Sequence, residues 1–238
     1  MGEWHGGDAG GGESGIRRGG RGDVDVETLF GPLDRPVRLA VFLSGGGRTL
    51  VNLFESINRG ELDAEVAVVV SDRVGVGGVD RATEAGVESH TLPRREFSSA
   101  AAWSDAAFSV SREAGADLVV LAGFLSLVVV PEDFHLRVMN IHPSLVPAFC
   151  GQGFYGHHVH QAAIERGVKV SGCTVHFADN EYDHGPIVLQ KVVAVEDGDS
   201  ADDLAARVFA AECEAYPEAI RLFAGGRLRL ADGRLQVD

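Results

Sequence analysis

Between residues 37 and 230, short apolar runs alternate with segments whose apolar residues recur every three or four positions, the pattern of βαβ units on a parallel sheet. Val37-Arg-Leu-Ala-Val-Phe-Leu43 reads as a buried strand that enters a turn at Ser44-Gly45-Gly46-Gly47. Leu50, Leu53, Phe54 and Ile57 then mark one helical face, which stops near Gly60. The spacing predicts further strands over 65–71, 90–92, 117–123 and 138–141, a helix ending near Gly86 and another over 99–115. A helix from His158 to Arg166 precedes two β-type segments, 172–177 and 187–195. Ser200 with Asp203 makes a capping-box variant for a helix through Glu214, and Pro217 opens its continuation as a first-turn proline before Gly225-Gly226 ends it. The fold class expected is α/β, a mostly parallel twisted sheet with helices on both faces.

Composition divides the chain. Of its 31 glycines, 11 fall in residues 1–36, which show no apolar pair before Leu29-Phe30 and read as a flexible tail. Residues 37–230 then form one domain of about 200 residues, enough for a sizeable core, and 231–238 a short C-terminal tail. The formal charge of −14 excludes a protein that grips nucleic acid through a broad basic face. No window offers the roughly 18 to 20 apolar residues of a membrane span, and no apolar signal-peptide core is present. Cys150, Cys173 and Cys213 form no CxxC pair, which fits reduced thiols in a cytoplasmic protein without a disulfide or zinc framework.

Two segments carry candidate chemistry. A strand, the turn Ser44-Gly-Gly-Gly-Arg-Thr49 and a helix N-terminus in series present unpaired backbone N–H groups at the positive end of a helix dipole, with Arg48 as a cation and Thr49 as a hydroxyl donor. Neither GxxxxGK[ST] nor a complete GxGxxG is present, so taken alone the turn reads as a tight strand-to-helix connection with incidental anion affinity, and phosphate becomes the favoured ligand only where other features agree. Asn140-Ile-His142 stands where a parallel strand ends, with both polar side chains on one face at the edge of the ligand crevice of an open α/β sheet. An Asn can donate to a developing oxyanion while a neighbouring His moves protons near neutral pH. A hydrogen-bonded His ordering the Pro-bounded loop 142–147 fits the tripeptide as well. Asp183, in the polar turn Glu181-Tyr-Asp-His-Gly-Pro186, would raise the pKa of an imidazole placed beside it. Spacing alone does not bring it to His142, and Asp before Gly also serves ordinary turn chemistry.

Asn140-Ile-His-Pro-Ser-Leu-Val-Pro147, Thr174-Val-His-Phe177 and Asp183-His-Gly-Pro-Ile-Val-Leu-Gln190 together resemble the signature of the folate-dependent phosphoribosylglycinamide formyltransferase family. The likeness takes in the strand and turn 37–45, Val119-Val-Leu-Ala-Gly-Phe124, the segment 199–208 and Tyr216-Pro217, and so covers roughly 37–228. It implies a Rossmann-like formyltransferase fold and attack of the glycinamide amine on the formyl carbon of 10-formyltetrahydrofolate. In this sequence Asn140 would polarise the formyl oxygen, His142 would act as general acid/base, and Asp183 would hold and charge it. The substrate phosphate would rest on Gly45, Gly46, Gly47, Arg48 and Thr49, and Glu212 would take the ribose hydroxyls. A folate pocket would form from Leu125, Ser126, Leu127 and Val128 with Asn140 and the loop Asp179, Asn180, Glu181 and Tyr182. The implied ligands are these two small molecules, with no metal, nucleic acid or membrane; monomer and homodimer both remain open.

The chain also departs from the family pattern. Gly46, Arg48 and Thr49 replace the commoner Gly-Asn-Gly-Ser-Asn loop, and Ser126 stands where an Arg often follows Gly-Phe by two, with Arg94 or Arg95 as alternative cations. Residues 150–160 are longer than the usual turn and contain His157, His158 and His160, which lack the carboxylate partners expected of a metal site. His184 replaces a small residue beside Asp183 and would narrow the site. Two other functions stay in view: a formyltetrahydrofolate deformylase, which passes the formyl group to water, and a catalytically silent nucleotide-binding module.

Overall fold

The computed structural model describes residues 27–28, 30–231 and 234–238, so most of the Gly-rich segment expected as a flexible tail lies outside the described residues. In chain order the elements are β1 (Glu27–Thr28), β2 (Val37–Leu43), α1 (Arg48–Asn58), β3 (Ala64–Ser71), α2 (Gly77–Glu84), β4 (Ser89–Thr91), α3 (Ala100–Glu113), β5 (Leu118–Leu121), β6 (Val138–His142), α4 (His157–Arg166), β7 (Val170–Phe177), β8 (Ile187–Ala194), α5 (Ala201–Ala224), β9 (Leu228–Ala231) and β10 (Arg234–Val237).

Seven strands form the main sheet in the order β4-β3-β2-β5-β6-β7-β8. The pairings from β4 to β6 are parallel, while β6 with β7 and β7 with β8 are antiparallel. Alternation along β2 places its side chains in two cores. Leu39, Val41 and Leu43 meet Leu50 and Leu53 of α1 and Leu204 and Val208 of α5, whereas Ala40 and Phe42 meet Trp103 and Phe108 of α3. Helices therefore cover both faces, as the mostly parallel α/β reading requires. Strand order reverses between β2 and β5, and the carboxyl ends of these two strands border the crevice where open α/β sheets bind ligands.

Three expectations change. The 231–238 segment is not a free tail, since β10 pairs antiparallel with β9. The N-terminal tail is likewise anchored before Val37: β1 pairs with β9 from its other side, the Phe30 ring packs 4.7 Å from that of Phe223, and Arg35 forms a bidentate ion pair with Asp117. Pro217 lies inside one continuous 24-residue helix rather than opening a second. A proline cannot donate to the carbonyl four residues back, and that carbonyl, on Cys213, accepts instead from Asn52 Nδ2 of α1 at 3.1 Å. The capping box at the start of α5 forms as expected, with the Ser200 hydroxyl accepting from Asp203 N and the Asp203 carboxylate accepting from Ser200 N.

Candidate active site

The site begins at the end of β2. Gly47 caps α1 at φ +75°, and a Cβ there would lie 2.7 Å from Gly78 Cα. Glycine at both positions lets the first turns of α1 and α2 touch, and Gly78 N donates to Gly45 O at 3.1 Å. Neither helix start carries a side-chain cap, so the N-terminal amides of α1 remain available at the wall of a cavity of about 850 Å³ that includes Gly45, Gly46, Gly47, Arg48 and Thr49. The Arg48 guanidinium stacks 3.7 Å from the centre of the Phe209 ring. One helical turn along α5, Glu212 lines the same wall; burial pushes its carboxyl up to about 7, with Arg48 opposing.

The floor is the end of β6. Antiparallel pairing sets Asn140 opposite His176 and His142 opposite Thr174. Asn140 Nδ2 donates to His176 Nε2 (3.1 Å) and to Asp183 Oδ1 (3.3 Å). His176 Nδ1 lies 2.9 Å from the Phe177 carbonyl, which can only accept, so that nitrogen bears the proton and Nε2 is left to accept from the amide. His176 thereby fixes which end of the Asn140 amide faces the cluster. His142 is buried; its Nε2 donates to the Phe149 carbonyl at 2.8 Å and its Nδ1 faces Asp183 Oδ2 at 3.4 Å. Burial lowers the His142 pKa, outweighing Asp183 and the Phe149 carbonyl, which raise it. The resting imidazole is thus neutral at neutral pH, with its lone pair on Nδ1 beside the carboxylate.

Asp183 occupies the left-handed region at φ +54°, a conformation that Asp and Asn tolerate better than most residues. The turn reaches the floor because a Cβ on Gly185 would fall 1.9 Å from Phe177 O. Burial alone would raise the Asp183 pKa; its contacts with the His176 and His142 rings and a 2.9 Å hydrogen bond from Gly151 N together hold it below the ordinary value. The triad foreseen from sequence is therefore assembled. His176, Phe149 and Gly151 complete it, and only the Thr174-Val-His-Phe motif hinted at the first of these.

The loop after β5 walls the far end of the cavity. Leu125, Leu127, Val128, Asp179, Glu181 and Tyr182 line it, but Ser126 and Asn180 do not. The Ser126 hydroxyl donates to Asp72 Oδ2 at 2.6 Å, and Asn180 Oδ1 accepts from Val130 N at 2.9 Å. With Ser44 accepting from Leu125 N and Ser104 from Val129 N, both at 2.9 Å, four side chains from separate parts of the chain fasten this loop. Arg94 donates to the Phe97 carbonyl, and neither Arg94 nor Arg95 lines the cavity. His184 does not narrow the site, because its ring pairs with Asp179 at 2.7 Å on the exposed side.

The three histidines of residues 157–160 diverge. His157 pairs with Asp202 at 3.2 Å, His158 lies edge-on to Tyr155 and His160 is buried. No group of three or more His, Cys, Asp or Glu side chains with metal-binding placement occurs among the described residues.

Residues 37–220 match the formyl transferase family. The solved structure of glycinamide ribonucleotide transformylase 1 from Symbiobacterium toebii is similar at 41% identity and a TM-score of 0.80, covering 86% of this chain and 95% of its own. Phosphoribosylglycinamide formyltransferase from Haemophilus influenzae is 34% identical over 203 residues, 84% of this chain and 93% of that protein. A trifunctional purine biosynthetic protein from Bos taurus is 35% identical over 87% of this chain, which spans 20% of that longer relative.

Proposed function

We propose, from the premise that this chain belongs to the formyl transferase family, that it moves the formyl group of 10-formyltetrahydrofolate to the amine of glycinamide ribonucleotide, a step of purine biosynthesis in the cytoplasm. The observation that carries this reading is one cavity running from the α1 N-terminus, past Asn140, His142 and Asp183, to the loop after β5. A phosphate-bearing amine fits the first end and a folate the second, so their reacting atoms meet over the polar floor.

The amine nitrogen attacks the formyl carbon and a C–N bond forms, leaving negative charge on the formyl oxygen. Asn140 Nδ2 turns one hydrogen from Asp183 Oδ1, its longer contact, toward that oxygen. His142 Nδ1 takes the proton released by the amine, and the resulting imidazolium is paired with Asp183. The same proton passes to the folate nitrogen as the old C–N bond breaks. A base that rests neutral and becomes charged beside a carboxylate suits this two-way transfer. Backbone amides at Gly45, Gly46 and Gly47 with Arg48 hold the phosphate, and Glu212 accepts from the ribose hydroxyls.

Purified protein incubated with 10-formyltetrahydrofolate is expected to form tetrahydrofolate only when glycinamide ribonucleotide is added. Formyl loss without the amine would identify a deformylase, and none in either tube a silent binding module. Asp183→Asn should lower kcat by about 10²- to 10⁴-fold with little change in Tm, because Asn tolerates the left-handed backbone and can keep the Gly151 contact. Turnover at the wild-type rate would remove Asp183 from the mechanism.

A further inference from the structure

His160 stands in α4, whose first turn borders the cavity. The residue is 5% exposed and lines the cavity, and its Nδ1 is sealed from solvent without a hydrogen-bond partner. Burial is the largest cause of its low pKa, about 4, and the nearby His157 and His142 lower it further. The ring is therefore neutral under physiological conditions and carries one proton. Leaving a buried N–H unsatisfied costs about 1 to 3 kcal/mol, and a lone pair on Nδ1 avoids stranding that donor. The favoured tautomer bears its proton on Nε2, the nitrogen not sealed away, and so offers a neutral donor to whatever fills the cavity.

Under the reading above the turn 45–49 takes the phosphate, Glu212 the ribose diol and Asn140 the formyl oxygen. The acceptor substrate then has one strong hydrogen-bond acceptor left unaccounted for near His142, its carboxamide oxygen. We propose that His160 is a substrate-contacting specificity residue whose Nε2–H donates to the carboxamide carbonyl of the acceptor substrate. This inference rests on the proposed function. It adds a means of distinguishing the carboxamide from a ribose phosphate that lacks one.

Calorimetric binding of glycinamide ribonucleotide and of ribose 5-phosphate to the wild type, His160→Phe and His160→Gln tests it. Phe keeps the ring volume without a donor, and Gln restores a donor at nearly the reach of Nε2. Loss of one neutral hydrogen bond should weaken glycinamide ribonucleotide about three- to tenfold in the Phe variant, leave ribose 5-phosphate within twofold, and be largely rescued by Gln. KM for the amine should rise by the same factor while kcat holds, as expected for a contact common to ground and transition states. Unchanged binding in the Phe variant, or equal weakening of both ligands, overturns the proposal. Tight, His160-dependent binding without formyl transfer would overturn the proposed activity and leave the contact standing; no binding of glycinamide ribonucleotide to the wild type would overturn both.

Discussion

At the residue scale, the site separates two kinds of titratable group by what surrounds them. Asp183 is partly buried but provided with donors, and it stays ionised. Glu212 is opposed only by Arg48, and burial pushes it up to about 7. If Glu212 binds the ribose as a carboxylate, KM for glycinamide ribonucleotide should rise as pH falls from 8 to 6, and Glu212→Gln should flatten that profile at a uniformly higher KM. Stability should move in the opposite sense. The folded-state pKa lies above the unfolded one, so the wild type loses stability as pH rises from about 4.5 to 7 and retains the full deficit above 7. Glu212→Gln should therefore raise Tm at pH 8 and leave it unchanged near pH 4.5. Thermal melts at the two pH values decide this, and equal Tm shifts at both would show that Glu212 does not carry the burial penalty. Asn140 and His142 were legible because residue type and strand-end position suggested their chemistry, whereas the part of Asp183, in a turn that spacing alone does not bring to His142, came from the family resemblance. His176 was not legible, because its part depends on antiparallel pairing with β6, which no local pattern encodes.

At the element scale, strands and helices were read almost to the residue wherever hydrophobic period and caps agreed, as at Ser99 for α3 and Ser200 for α5. The misreadings arose where a distant group changed the local outcome. Pro217 is a helix-start residue by local rules, yet α5 passes through it because Asn52, mostly buried and 161 residues from Cys213 in sequence, takes up the Cys213 carbonyl. Likewise, 231–238 looked like a tail because its pairing partner is a short strand in a separate three-stranded sheet. The proline explanation predicts coupling. Asn52→Ala leaves a partly buried carbonyl without its donor and should cost about 1 kcal/mol. Pro217→Ala returns an N–H to that carbonyl, so the same Asn52→Ala change should cost clearly less in the Pro217→Ala background. Urea denaturation of the four proteins provides the cycle, and strict additivity would refute the compensation.

At the scale of the whole molecule, the acidity of the chain sets the terms on which its ligands arrive. Outside residues 1–36 there are 17 Lys and Arg against 28 Asp and Glu, while the proposed amine substrate carries a phosphate and the folate carboxylates. The long-range field therefore repels both ligands, and binding depends on groups that act within a few ångströms: the amides of α1 and the Arg48 guanidinium held on Phe209. Salt affects the two ranges differently. The Debye length falls from about 30 Å at 0.01 M to about 8 Å at 0.15 M, which shortens the repulsive field but barely reaches contacts inside the cavity. Association of glycinamide ribonucleotide should therefore quicken, by about two- to fivefold, between these ionic strengths, the reverse of an electrostatically steered enzyme. Arg48→Met should raise the dissociation rate and leave that positive salt slope in place, because one cation among 45 charged side chains changes the distant field little. Stopped-flow binding at the two ionic strengths measures both quantities. An association rate that falls with salt would mean that the charge around the cavity mouth is locally basic despite the acidic body, and that long-range attraction does bring the phosphate in.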